Sequence, residues 1–373
     1  MDKTAGRPTW AEVNLGAIRH NVRRYVSALS PGTALMAVVK ADGYGHGAVP
    51  VARAALEAGA TWLGVALAEE GAALREAGIT APILVLGQSY GQQIAWAVEY
   101  GLEVTVFDRE TLAEVGEAAV ARGRLVGVHL KIDTGMGRVG VPWERFDAEW
   151  VQALGSTSGV VWRGVMTHFA DADHPDPGYT RLQFARFLDA IESLRRRQAL
   201  PPWLHCANSA AALRFPGTHL SMVRVGLGLY GLKPYPAADG LVPALRWLSR
   251  VVFLKQVGEG FSVGYGRTYH TPSPMQLATV PVGYADGYRR AWSNRAHVLI
   301  RGRRYPVVGR VSMDQITVAV PVGDPVAVGD PVTLLGEDEG AVITAEELAE
   351  AAQTIAYEVV TGLSARVPRV WCG

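Results

Sequence analysis

Apolar residues recur at helical spacing at Leu15, Ile18, Val22, Val26 and Leu29, with Asn14 placed to cap the first turn and Pro31-Gly32 to stop the last. This predicts a helix over 15–29. The next run, Thr33-Ala34-Leu35-Met36-Ala37-Val38-Val39, is apolar without alternation and closes on Lys40. Seven further runs lie at 62–67, 82–86, 104–107, 125–132, 162–169, 203–208 and 223–230. Several are too uniformly apolar to have one wet face, as expected of strands in a parallel sheet covered on both sides. Helical stretches separate them, among them 91–100, 109–122 and 179–198. Eight strands alternating with helices predict an α/β fold, an N-terminal (β/α)₈ TIM-like barrel, with a doubly wound open sheet as the competing arrangement.

Beyond residues 231–236 the pattern changes. Strand-like runs at 247–257, 276–282, 297–300, 307–320 and 331–335 are punctuated by glycine and proline. One helix interrupts them, starting at Thr344, whose Glu347 completes a capping-box pattern, and running to about Val360. The boundary falls within residues 232–244, which predicts a barrel over 1–240 and a mainly β domain with one helix over 241–373. A chain of 373 residues exceeds what one core comfortably supports, so two domains are expected. No internal repeat is visible.

Composition narrows the function classes. Acids and bases nearly cancel to a net charge of +1, which gives no electrostatic case for nucleic acid or an anionic membrane. Met1–Pro8 lacks the apolar core of a signal peptide, and no run of about 18 apolar residues suggests a membrane span. The two cysteines, Cys206 and Cys372, form neither a disulfide framework nor a metal-ligand pattern, so no metal is expected. A cytoplasmic setting is expected.

Lysine usage points to chemistry. The chain has 5 lysines against 31 arginines, yet it keeps an amine, Lys40, at the end of a hydrophobic strand. A lysine amine can lose its proton when desolvated and then attack carbonyls, which arginine cannot do. A strand-end lysine reaching to solvent is the plainer reading of Lys40 alone. The other strand ends favour chemistry: Lys131 with Asp133-Thr134-Gly135-Met136-Gly137-Arg138, then His168, then His205 with Asn208 and Ser209, then Arg224-Val225-Gly226-Leu227-Gly228. A barrel gathers the C-terminal ends of its strands at one mouth. An amine, an arginine and a glycine-rich turn match the needs of pyridoxal phosphate: an amine for the aldehyde, a partner for the ring nitrogen, and N–H groups and hydroxyls for the phosphate. Gly-x-Gly is also compatible with an ordinary tight turn.

Longer blocks carry a family resemblance. Val39-Lys40-Ala41-Asp42-Gly43-Tyr44-Gly45-His46-Gly47, Lys131 to Arg138, His205-Cys206-Ala207-Asn208-Ser209-Ala210-Ala211, Gly264-Tyr265-Gly266, Ser312-Met313-Asp314-Gln315 and Arg366-Val367-Pro368-Arg369 occur in the order found in the alanine racemases. The sequence resembles that family, fold-type III pyridoxal phosphate enzymes, over essentially its whole length. The resemblance implies a cytoplasmic homodimer with shared active sites, interconverting L- and D-alanine and supplying D-alanine for peptidoglycan. It implies that Lys40 holds the cofactor and is the base on the D side, while Tyr265, given by the partner subunit, is the base on the L side. Two bases on opposite faces are what racemisation requires, since a proton leaves one face and returns on the other. The resemblance further places Arg224 at the pyridine nitrogen and His168 near the ring. It places Tyr44, Ser209, Gly226, Leu227 and Tyr357 on the phosphate side. Arg138 and Met313 match substrate-carboxylate positions, Met313 from the partner subunit, and Lys131 falls where the family often carries a carbamylated lysine. A plain Lys131 paired with Asp133 is the alternative. The chain departs from the common pattern at Val225, where many members have proline, and at Ser312, where cysteine is common.

Three other readings compete. A fold-type III decarboxylase would bring a catalytic cysteine from the partner subunit, but Cys206 lies in a strand and Cys372 at the extreme C-terminus. A non-catalytic pyridoxal phosphate carrier would lack the β domain. A racemase of broader specificity is the third; periplasmic members of that kind carry signal peptides, and serine-preferring relatives change the position held here by Tyr357.

Overall fold

The computed structural model describes residues 6–373, so most of the Met1–Pro8 segment lies outside the described residues. The expected helix begins directly after Asn14, spanning Leu15–Val26. Eight parallel strands follow in the expected order: Ala34–Val38, Trp62–Val65, Ile83–Val85, Glu103–Val106, Val126–Asp133, Val160–Met166, Trp203–His205 and Met222–Val225. The first pairs with the second and with the eighth, and pairing runs unbroken from the second to the seventh. The seventh and eighth are joined by single bonds, from Ser221 N–H to the Leu204 carbonyl and from Arg224 N–H to that of Ala207. The sheet is therefore a nearly closed barrel. The open-sheet alternative fails because the first and eighth strands pair.

The strands are buried on both faces, as their lack of alternation predicts: Leu35, Met36, Ala37 and Val38 all lie in the core. Met36, Trp62, Leu84, Met166 and Met222 pack together inside it. The eighth strand is shorter than the expected 223–230. It stops at Val225, and Leu227–Tyr230 forms a 3₁₀ turn. Gly228 in that turn packs on the Tyr25 ring so closely that a Cβ would lie 2.1 Å from its hydroxyl oxygen.

The chain divides into two compact units, with the barrel unit comprising Ala17–Gly43 and Gly47–Val242. The other holds the residues from Pro243 onward together with Tyr44–His46 and the described residues up to Gly16, whereas the sequence pattern placed both N-terminal segments with the barrel. Pairing explains why the residues up to Gly16 belong there. Thr9–Asn14 is a strand lying between Leu245–Arg250, antiparallel, and Arg369–Cys372, parallel. Pro331–Asp338, His297–Ile300 and Arg303–Pro306 extend that sheet. A three-stranded antiparallel sheet of Phe253–Val257, Met275–Val280 and Ile316–Pro321 accompanies it, so the expected strand over 307–320 is mostly a loop, carrying Met313. Trp247, Tyr288 and Trp292 are fully buried, with Tyr288 edge to face on Trp292 and tilted against Trp247.

The single helix expected from Thr344 is two, Ala345–Ala352 and Ala356–Thr361. The Thr344 hydroxyl caps the first by accepting the Glu347 N–H at 3.0 Å. Gln353 then adopts a left-handed conformation, φ 56°, and the Thr354 N–H returns to the Ala349 carbonyl, which ends the helix.

Candidate functional site

The C-terminal ends of the strands bring Lys40, Lys131, Arg138, His168, His205, Ser209 and Arg224 to one mouth of the barrel. Lys40 follows the first strand and opens a left-handed turn, with φ of 52° at Ala41, 51° at Asp42, 61° at Gly43 and 52° at Tyr44. Such a turn costs L-residues on the order of 1–2 kcal/mol each and persists only where surrounding bonds hold it. Glu70 supplies one of them: its carboxylate accepts the Ala41 N–H at 2.6 Å and those of Ala66 and Leu67 at 2.7 and 3.2 Å. The Asp42 carboxylate accepts the Ala48 N–H at 2.8 Å, and the Gly43 N–H reaches the Val39 carbonyl. Glu70 was not legible as a site residue, because in sequence it is only an acid in a helix's first turn.

Burial and then Arg138 push the Lys40 amine below its ordinary pKa, while Glu70 opposes them. Lys131 is buried, and burial with Arg224, Arg138 and Lys40 pushes its amine down to about 8. Asp133 opposes that shift, but backbone amides take up its carboxylate. One Asp133 oxygen accepts the N–H groups of Gly135 and Met136 at 2.9 and 2.8 Å, and the other accepts that of Gly137 at 3.0 Å. No ion pair between Lys131 and Asp133 forms among the described residues. The Asp133 carboxylate instead shapes the loop that leads to Arg138. Tyr179 donates to the Gly135 carbonyl and Arg186 to that of Thr134, tying the loop to helix Gly178–Arg196.

Arg224 is the electrostatic centre. It is buried, its NH1 donates to His205 Nδ1 and the His205 carbonyl at 3.0 Å each, and its NH2 donates to the Thr167 carbonyl, His168 Nδ1 and the Cys206 carbonyl at 2.8, 3.0 and 3.2 Å. No acceptor among the described residues meets its Nε within hydrogen-bonding distance. Burial pushes it down to about 10, so it stays cationic at neutral pH. Burial and Arg224 hold His168 and His205 well below the usual imidazole range, hence neutral. Cys206 is buried and its thiol is pushed up to about 12, so it offers no thiolate. At the turn after the eighth strand, Ser209 Oγ accepts the Gly226 N–H at 3.0 Å, and the Tyr25 hydroxyl donates to the Ser209 carbonyl at 3.2 Å.

The second unit carries the remaining candidates. Tyr44 and Tyr357 pair with ring centroids 6.1 Å apart, and burial together with Tyr357 pushes the Tyr44 phenol up, so it remains an O–H donor. The segment 44–46 is held by the C-terminal strand, since Arg369 Nε donates to the Gly45 carbonyl at 3.0 Å and Trp371 Nε1 to that of His46 at 2.8 Å. Gly45, at φ 80°, could carry no side chain, because a Cβ would lie 2.4 Å from the Val360 carbonyl oxygen.

Tyr265 opens a short 3₁₀ turn in the hairpin of Ser262–Val263 and Tyr269–His270 and is 71% exposed; Met313 is 52% exposed. Beside Met313 stands a further exposed tyrosine, Tyr284, whose N–H bonds the Ser312 carbonyl while the Ala285 N–H bonds that of Met313. The loop rests on buried Asp286, which pairs with Arg7 and Arg366, and Arg366 in turn bonds Asp314 at 2.7 Å. No helix among the described residues is long and apolar enough to cross a membrane.

Known proteins match both units. The family description "Alanine racemase, N-terminal domain" covers residues 13–234 and "Alanine racemase, C-terminal domain" covers 244–371. An alanine racemase of Symbiobacterium thermophilum is 51% identical over 100% of this chain and 99% of its own. The crystal structure of an alanine racemase from Streptomyces lavendulae superposes with a TM-score of 0.93 at 42% identity, covering 98% of this chain and 97% of that one. A histidine racemase from Leuconostoc mesenteroides gives 0.89 at 30% identity, covering 99% of both chains. Matched along nearly its whole length by one family's two domains and by a relative sharing half its residues, the chain belongs to the alanine racemase family.

Proposed function

We propose that this enzyme interconverts L- and D-alanine with pyridoxal phosphate, using Lys40 and Tyr265 as its two bases. The observation that carries the reading is a lysine amine held below its ordinary pKa at a barrel mouth crowded with Lys131, Arg138 and Arg224. That donor set fits the cofactor: a reactive amine, an excess of positive charge for a phosphate-bearing anion, and a buried guanidinium with its Nε unclaimed. When bound, pyridoxal phosphate supplies an aldehyde that condenses with amino groups and a conjugated ring that draws electrons from the substrate Cα–H bond. Lys40 would hold it, Arg224 would face its ring nitrogen, and His168 would stand near the ring. Ser209, the N–H groups of Gly226 and Leu227, and the hydroxyls of Tyr44 and Tyr357 would serve the phosphate.

In this reading Arg138 and Met313 bind the substrate carboxylate. Lys40 Nζ moves the proton on one face of Cα and Tyr265 Oη on the other. A lysine amine titrates near 10 when unperturbed, so it must be tuned to accept a proton. The depression of Lys40 by burial is such tuning. The exposure of Tyr265, and of Tyr284 beside Met313, supports a homodimer in which these residues complete the partner's site, since large apolar side chains left exposed mark interaction surfaces. Lys131 is proposed to carry a carbamate: an amine titrating near 8 reacts with carbon dioxide readily, and an anion there would offset three neighbouring cations and hold Arg138. We further propose a cytoplasmic role supplying D-alanine for the cell wall.

Circular-dichroism decay of L-alanine and of D-alanine with purified protein tests the reading; inertness toward both overturns it. The likeness to a histidine racemase makes broader specificity the second reading, checked by the same decay with L-serine, L-lysine and L-histidine. Release of carbon dioxide would instead indicate a decarboxylase.

A further inference from the structure

Arg224 ends a line of side chains that passes through the barrel interior. Its NH1 lies 3.0 Å from His205 Nδ1, His205 Nε2 lies 2.8 Å from His129 Nδ1, and His129 Nε2 lies 2.8 Å from Glu103 Oε2. His129 and His205 are fully buried, with ring centroids 5.0 Å apart, and Glu103 stands at the start of the fourth strand, at the end of the barrel remote from Lys40. The two ends determine the direction of every proton. A guanidinium only donates and a carboxylate only accepts. His205 Nδ1 must therefore be the acceptor, its proton sits on Nε2 and points to His129 Nδ1, and the His129 proton sits on Nε2 and points to Glu103.

The line is built rather than incidental. A Cβ on Gly164 would lie 2.3 Å from His129 Nδ1, and one on Gly127 would lie 2.7 Å from the Glu103 carboxyl carbon. Neither glycine has a positive φ, so each is there for the space it leaves. Burial keeps His129 and His205 on the neutral side, as this direction of donation requires, although Glu103 pulls His129 the other way. Besides Arg224, the cation beside the line is Arg163, whose Nε lies 3.4 Å from Glu103 Oε1.

We propose that Glu103 and His129 are positioning residues: through His205 they form one polarised hydrogen-bond chain that orients the Arg224 guanidinium from the far end of the barrel. Hydrogen bonds in such a chain strengthen one another, and the terminal carboxylate polarises the whole of it. The bond pattern belongs to the barrel alone; only its consequence for turnover rests on the reading of Arg224 as the cation facing the cofactor ring.

Nitrogen-15 NMR of the imidazoles in the full-length purified protein at pH 7 tests this, with nine histidines to assign. The expected spectrum shows His129 and His205 both as neutral Nε2–H tautomers, with two downfield N–H protons. Glu103→Gln, which matches the volume and removes the charge, should move the N–H signals of both histidines. It should also lower kcat for alanine by about threefold or more, with KM nearly unchanged. A purely structural Glu103 predicts a shift confined to His129 and an unchanged kcat, and either result in a folded variant overturns the proposal. If Glu103→Gln does not fold, the native spectrum still decides: an Nδ1–H or doubly protonated His205 overturns it. A native protein that lacks racemase activity but shows the expected tautomers would refute the proposed function and leave the chain standing.

Discussion

Replacing Lys131 with methionine removes a buried amine and keeps most of its volume. The side chain is 6% exposed and its neighbours are Arg224, Arg138 and Lys40, with Asp133 engaged by loop amides. Its amine titrates at about 8 in the fold against an ordinary 10.5. At about 1.4 kcal/mol per tenfold, holding the ammonium form in this site costs on the order of 3 kcal/mol at pH 7. Between pH 8 and 10.5 the unfolded chain binds more proton at this residue than the folded one, so the native protein gains stability as pH rises through that window. Lys131→Met lacks this gain. In buffer freed of carbon dioxide the variant should be more stable than the native protein at pH 7, and the difference should vanish by about pH 10.5. Equilibrium unfolding in urea at the two pH values measures this. Adding bicarbonate at pH 7 should stabilise the native protein and leave Lys131→Met unmoved, with a mass increment of one carbon dioxide that is lost in acid. A variant less stable than the native protein at pH 7 without carbon dioxide would refute the electrostatic argument.

Further outcomes follow from the same geometry. Lys40→Ala and Tyr265→Ala should each be inactive, and mixed dimers of the two should regain partial activity because one site keeps both residues; well-formed mixed dimers without activity would rule out shared sites. Ser209→Ala leaves the buried Gly226 N–H without its hydroxyl, a loss of about 1–3 kcal/mol in stability, and should weaken pyridoxal phosphate retention in equilibrium dialysis. Unchanged retention would remove Ser209 from the phosphate site. Asp286→Asn weakens the pairing with Arg7 and Arg366 beneath the Met313 loop. It should cost about 1–3 kcal/mol by urea denaturation and raise KM for alanine more than it lowers kcat.

The strand-end candidates were legible early because their signal is local. Lys40, Lys131, His168, Ser209 and Arg224 each sit at or just past an apolar run, and a barrel needs no further information to gather such ends. The blocks around Tyr265 and Met313 were legible only through resemblance, since an exposed tyrosine and methionine carry no chemical signal of their own. Glu70 was missed for a different reason. Its role is to accept the Ala41 N–H, and a backbone partner 29 positions away leaves no pattern in the chain.

By itself, the sequence determined the alternation of buried strands and helices, the change to a strand-rich half near residue 240, and the amine at the mouth, because periodicity and burial act over a few neighbouring residues. Only the tertiary structure decided that Thr9–Asn14 joins the C-terminal strands, a pairing across more than 200 positions set by backbone hydrogen bonds. It also decided where the helix after Thr344 breaks, through a left-handed Gln353. The line from Glu103 to Arg224 is likewise tertiary. Its four members lie on four different strands or strand ends, and Gly127 and Gly164 admit it only by what they lack. Hydrogen-bond direction depends on which donors and acceptors meet, and that meeting is made by the nearly closed barrel.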